Sequence, residues 1–111
     1  MLKKRNNVKL IISKYSEELS KKIKIDGIFL FGSAARGKMT KDSDIDLIIL
    51  SSDFKRMGFM RRLQLLSRIS SVCAKETAMD IIGYTPEEFL EFRKSDSPNL
   101  KRIVREGYFV K

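Results

Sequence analysis

The sequence predicts an α/β (α+β) protein: a small mixed β-sheet with helices packed on one face. Three observations predict it. Apolar residues recur at helical spacing twice, first from Val8 and again from Met60. Three short apolar runs are bounded by glycine or by polar clusters, as strands are. The chain has 111 residues, enough for one core and not for two, so a single domain over 1–111 is expected.

Taken in order, Val8, Ile11, Ile12, Tyr15, Leu19 and Ile23 mark one face of a first helix. Ile25 to Phe31 then reads as a strand whose nearly continuous apolar end suits burial on both faces. Gly32-Ser33 stops it, and Ser33 is placed to cap a short helical turn through Arg36. The polar stretch Gly37–Ser43 is a loop, and Asp44–Leu50 is the second strand. A second helix carries Met60, Leu63, Leu66, Ile69, Val72 and Cys73 on its core face. Thr77–Tyr84 is a third strand. Thr85-Pro86-Glu87-Glu88 starts the next helix: Thr85 caps, Pro86 takes the first helical position and Glu88 closes a capping box. A last helix begins at Ser97-Pro98, turns Leu100, Ile103 and Val104 inward, and stops at Gly107. Tyr108-Phe109-Val110 is apolar enough to return as an edge strand.

Composition removes several chemistries. The chain has no histidine, so a Ser-His-Asp triad, a histidine base and a histidine-ligated metal are excluded. Its single cysteine, Cys73, allows neither an internal disulfide nor a cysteine-based zinc site, and on its helix face it reads as a packed small hydrophobe. No apolar run reaches the ~20 residues of a membrane helix, and no h-region follows the basic start, so a cytoplasmic protein is expected. Oxygen donors remain, and these suit hard cations. The net charge of +9 comes from pairs spread along the chain, such as Lys21-Lys22 and Arg61-Arg62. Such a surface attracts nucleotides, nucleic acid or an acidic partner protein, and it also serves solubility.

Two segments point to chemistry. Asp44 and Asp46 stand two apart at the head of an apolar strand, so they project to one face while Ile45 and Leu47 enter the core. Neighbouring like charges repel, and Mg²⁺ would relieve that, since it takes one or two carboxylates and completes its shell with water and phosphate. Asp80 lies inside the apolar string Ala78–Ile82, where burial would demand a partner or a metal. If the third strand lies beside the second, Asp80 reaches the same place. Gly32 lets a ligand approach the backbone, and Ser33 offers a hydroxyl and N–H groups to an anion. Arg36, Lys38 and Lys41 follow and could neutralise phosphate charge. No P-loop pattern is present.

In these residues the chain resembles the polymerase-β-like nucleotidyltransferases, specifically the stand-alone minimal ones. The pattern is Phe29-Leu30-Phe31-Gly32-Ser33, a ten-residue spacer, Asp44-Ile45-Asp46 with an apolar run, and later Met79-Asp80-Ile81. Arg36-Gly37, the Ser43-Asp44 step and the Glu106-Gly107-Tyr108 ending also match. The resemblance implies a nucleotidyltransferase fold and transfer of a nucleoside monophosphate, AMP from ATP, to a hydroxyl. It implies Asp44 and Asp46 as Mg²⁺ ligands, and Asp80 as a further ligand that accepts the hydroxyl proton. Gly32 and Ser33 would hold the β- and γ-phosphates, with Arg36 beside the nucleotide. Two Mg²⁺ ions ~4 Å apart would serve an in-line displacement. Isolated minimal members resemble antitoxins paired with a HEPN-domain toxin, some of which adenylylate a tyrosine of that toxin. The alternatives are an antitoxin that neutralises its partner by contact alone, and a nucleic-acid binder suggested only by the charge.

Overall fold

The structure, a computed structural model, describes residues 4–38, 40, 43–74 and 77–111, with side chains from Asn7 onward. Helix α1 (Lys4–Leu19) leads to strand β1 (Gly27–Phe31), the short helix α2 (Gly32–Ala35) and strand β2 (Ile45–Leu50). A 3-10 turn (Ser52–Arg56) and helix α3 (Phe59–Cys73) precede strand β3 (Met79–Tyr84). Helices α4 (Pro86–Arg93) and α5 (Pro98–Glu106) and strand β4 (Tyr108–Phe109) complete the chain. Among the described residues, no helix is long and apolar enough to cross a membrane.

The mixed sheet expected from the sequence is present, in the order β3-β2-β1-β4. β1 runs antiparallel to both β2 and β4, and β2 runs parallel to β3. The tail does return as an edge strand: Tyr108 pairs with Leu30 and Phe109 with Phe29.

Helices cover both faces of this sheet, where the sequence suggested one. Strand side chains alternate between faces. Ile28, Leu30, Ile45, Leu47, Ile49 and Ile81 join Val8, Ile12, Tyr15, Leu19, Phe54 and Leu66 in one buried cluster, against α1 and α3. The alternate residues Phe29, Ile48 and Leu50 pack instead with Phe89 of α4, flanked by Phe31, Tyr84, Phe92 and Ile103. Aromatic rings dominate this second layer: Phe89 lies 5.4 Å from Phe29 and 5.7 Å from Phe92, centroid to centroid. The near-continuous apolar character of β1 and β2 is the sequence record of burial on both sides.

α1 ends at Leu19, but Ile23 is still buried, because the turn that follows carries the apolar stripe onward. The Tyr15 hydroxyl donates to the Leu66 carbonyl at 3.0 Å, tying α1 to α3, and burial pushes that phenol far above its ordinary value.

The phase of α3 differs from the expected one. Leu66 is buried, but Met60 and Val72 are 64% and 67% exposed, and Leu63 is also exposed. The inward residues are Arg62, Leu65, Leu66, Ile69 and Cys73, with Cys73 only half-buried. Their spacing is as helical as the expected one, but it runs through an arginine, which an apolar count passes over. Arg62 Nη1 donates to Glu88 Oε1 at 2.6 Å and to the Gly83 carbonyl at 3.2 Å. Its Nη2 donates to the Phe54 carbonyl at 2.7 Å, and its Nε to that of Met57 at 3.0 Å.

The capping box of α4 is formed as the sequence predicts: Glu88 N–H donates to Thr85 Oγ1, and Thr85 N–H donates to Glu88 Oε1. Glu88 thus serves both its own helix and Arg62, whose hydrogen bonds, helped by those with Thr85, hold its carboxyl below the ordinary value against the upward push of burial. A carboxyl depressed in the folded state adds stability that is fully present above its ordinary value of 4.5 and is lost as pH falls from there through the folded value. Thermal melts of wild type should therefore weaken on acidification below pH 4.5, and Glu88→Gln should flatten part of that slope. An unchanged slope would remove Glu88 from the acid response.

Candidate active site

Asp46 is the centre of the acidic group. It stands on β2 with Phe31 opposite on β1 and Asp80 opposite on β3. Register partners share a face, so Asp46 and Asp80 project together, on the side that carries the aromatic layer and α4 and α5. Asp44 lies two residues earlier, next to Ser43, whose Oγ accepts from the Thr40 N–H at 2.9 Å. Asp44 and Asp80 are exposed and Asp46 is half-buried.

Burial, then the nearby charge of Asp80, then that of Asp44 push the Asp46 carboxyl up from 3.8 to about 6, with Arg36 opposing the rise. The three carboxylates and the arginine therefore share one electrostatic neighbourhood. Asp80 does not occupy the buried position that its apolar neighbours suggested. It stands exposed on β3, at the edge of the described sheet, and reaches the group through register alone.

Gly32 supplies the opposite wall. Its φ of +70° lies in the left-handed region, and a Cβ there would run into the Asp46 carboxylate, whose Cγ would lie at 3.1 Å. Gly32→Ala should accordingly cost about 1–3 kcal/mol of stability in urea denaturation and displace the carboxylate. Wild-type stability in that variant would show that the close approach is dispensable.

Ser33 does not cap α2. Phe31 holds the N-cap position, and Ser33 lies inside the helix, where the Lys38 N–H donates to its carbonyl at 2.9 Å. The first-turn N–H groups have no helical carbonyl of their own to bond. Arg36 follows at the C-cap, with Nη1 3.0 Å from Glu106 Oε2 of α5. Lys38 is exposed, and Lys41 lies outside the described residues. Glu106 is thus a member of this neighbourhood that residue chemistry did not single out; the match at the Glu106-Gly107-Tyr108 ending was the available signal.

Among the described residues, no three acidic or cysteine side chains converge tightly enough to form a ready metal cage. The donor set still fits a hard divalent cation that brings further oxygens with it. It is made of carboxylates only, Asp44 and Asp80 are open to solvent, and both set negative charge beside the half-buried Asp46. The acidic group also stands apart from the 870 Å³ groove between α1 and β4, whose walls include Ile28 and Leu30 of the other face.

The glycine turn, the paired aspartates and the sheet order define a class, and sequence comparison agrees. The nucleotidyltransferase domain model matches residues 12–108, so the chain belongs to that family and is a nucleotidyltransferase. A Methanocaldococcus jannaschii protein named "Putative protein adenylyltransferase" is 32% identical over 71 residues, 64% of this chain and 71% of its own length. The structure of a toxin-antitoxin with AMP-PNP superposes with a TM-score of 0.60 at 22% identity, covering 93% of this chain and 72% of that one. A mutant of the toxin-antitoxin MntA-HpeT gives 0.58 at 25% identity, over 90% of this chain and 71% of that one.

Proposed function

We propose that this protein is a Mg²⁺-dependent protein adenylyltransferase that moves AMP from ATP to a tyrosine hydroxyl of a partner toxin of the HEPN class, and so acts as its antitoxin. The observation that carries this is the placement of Asp46 between Asp80 and the left-handed Gly32. The adenylyltransferase name of the M. jannaschii relative, the AMP-PNP in one structural neighbour and the toxin-antitoxin pairing of both neighbours support it.

Asp44, Asp46 and Asp80 would hold Mg²⁺ through carboxylate oxygens. Bound there, the metal supplies charge neutralisation for the attacking and leaving oxygens. Gly32 leaves room for phosphate oxygens beside the backbone of Ser33, and Arg36 and Lys38 offset their charge. The acceptor hydroxyl attacks the α-phosphorus, the bond to the bridging oxygen breaks, pyrophosphate leaves, and Asp80 takes the hydroxyl proton. Positioning and electrostatics then do most of the catalysis, and no histidine is needed.

The test is incubation of the chain with Mg²⁺, ATP labelled in the adenosine moiety, and the partner protein. Label should appear on a partner tyrosine and vanish with Asp44→Ala plus Asp46→Ala. Neutralisation of the partner by a folded double variant, with no label transferred by wild type, would replace transfer with contact inhibition.

A further inference from the structure

The ion pair between Arg36 and Glu106 joins the turn after α2 to the last residue of α5, 70 residues away in sequence. Glu106 is held from two directions. Arg102 Nε donates to its Oε1 at 3.3 Å from one helical turn earlier, which leaves Oε2 for Arg36. The next residue, Gly107, is jammed against β1: a Cβ there would lie 2.7 Å from the Leu30 carbonyl and would strike the Phe29 ring. Its φ of −94° is open to any residue, so close approach and not backbone conformation demands glycine. Tyr108 and Phe109 then pair with β1, the strand that runs into Gly32. The Glu106 carboxylate is therefore placed by the same strand that places the glycine turn.

Arg36 has two anionic neighbourhoods. It donates to Glu106, and its charge is felt at Asp46. Guanidinium pairs readily with a carboxylate in a two-pronged geometry. With Glu106 absent, the Asp46 carboxylate, on which the charge of Arg36 already acts, remains to attract it, and an arginine folded onto it would neutralise the carboxylate that a cation and nucleotide need. With Glu106 present, one nitrogen is engaged while the remaining N–H donors of the fork stay available for phosphate oxygens.

We propose that Glu106 is a positioning residue, which holds Arg36 off the Asp46 carboxylate and presents it to the phosphates of the incoming nucleoside triphosphate. This rests on the nucleotidyl-transfer reading and adds to it a role for the C-terminal end of the chain. The pair is partly sheltered, with side-chain exposures of 32% and 27%, but its proposed effect is on ligand binding and not on folding.

The experiment is a titration of the full chain with a fluorescent ATP analogue in Mg²⁺, in wild type, Glu106→Ala, Glu106→Gln, Arg36→Ala and the Arg36→Ala plus Glu106→Ala double variant, with melting temperatures alongside. Glu106→Ala should weaken binding about tenfold, as the loss of one charge-assisted contact would. Glu106→Gln keeps an acceptor oxygen and should stay within about threefold of wild type. The double variant should bind no more weakly than Arg36→Ala alone, because the effect passes through Arg36. Unchanged binding in Glu106→Ala, or losses that add in the double variant, would overturn the positioning role while leaving nucleotide transfer intact. Wild type that binds no nucleotide would overturn both.

Discussion

Asp46→Asn is expected to lower the rate of AMP transfer by at least about 10²–10³-fold, the scale of losing one charge-stabilising group at a reacting phosphate. It should also make the metal-free protein slightly more stable. Asp46 is pushed up to about 6 by burial and by two like charges, so its ionised form is strained at neutral pH. After discounting for solvent screening, about 1 kcal/mol should be recovered by the neutral amide. The same substitution then has opposite effects on activity and on stability, which no simple unfolding variant can imitate. Divalent metal should raise the wild-type melting temperature and do so less in Asp46→Asn. The account of the acidic group is contradicted if the variant melts below wild type in the absence of metal and retains transfer.

Arg62→Ala is expected to produce the largest loss of stability in the chain, about 3–5 kcal/mol. The guanidinium is buried and donates to the carbonyls of Phe54, Met57 and Gly83 and to both oxygens of Glu88. It also lies 5.4 Å from the Phe54 ring centroid. Truncation strands three carbonyls and opens a void between α3, the 3-10 turn and α4. A domain of this size holds about 5–15 kcal/mol in total, so the variant should be partly unfolded at physiological temperature. Arg62→Lys should recover less than half of the loss, because an ammonium cannot bond three carbonyls and a carboxylate in a fixed fork. Urea denaturation should show the midpoint falling at constant slope. A loss below about 1 kcal/mol would make Arg62 an ordinary surface residue.

Much of the architecture was legible because its signals are local. The nearly continuous apolar run Ile28–Phe31 marks a strand buried on both faces, and Thr85-Pro86 with Glu88 marks a helix start whose capping hydrogen bonds form. Gly107 reads as a glycine stop for α5 and does end it, but close contact with Phe29 and Leu30, which are distant in sequence, selects the glycine in place of a left-handed backbone. Arg62 was illegible for the same kind of reason. Beside Arg61 it reads as solvated charge, and only tertiary packing shows the buried carbonyls that it serves. That single arginine also shifted the inward face of α3 and left Met60 and Val72 outside. Helices on both faces of the sheet were implicit in the two-sided apolar strands, but which helices took the second face depended on the Phe89 and Phe92 rings meeting Phe29 and Tyr84.

For the site, strand alternation predicts a common face for Asp44 and Asp46, but β2 begins at Ile45, so Asp44 precedes the strand and joins the group through the charge it sets beside Asp46. The apolar neighbours of Asp80 suggest burial, yet it is exposed; the third strand does lie beside the second, and parallel register sets Asp80 opposite Asp46. Glu106 joins the group across the longest sequence separation among its hydrogen bonds, which spacing rules do not reach.

The most direct measurement is a crystal structure of the chain grown with Mn²⁺ and a non-hydrolysable ATP analogue, with metal positions fixed by anomalous scattering. Metal is expected on the carboxylates of Asp46 and Asp44 or Asp80, with triphosphate density against Gly32 and Ser33. Nucleotide bound elsewhere, or metal bound away from Asp46, would contradict this assignment of the site.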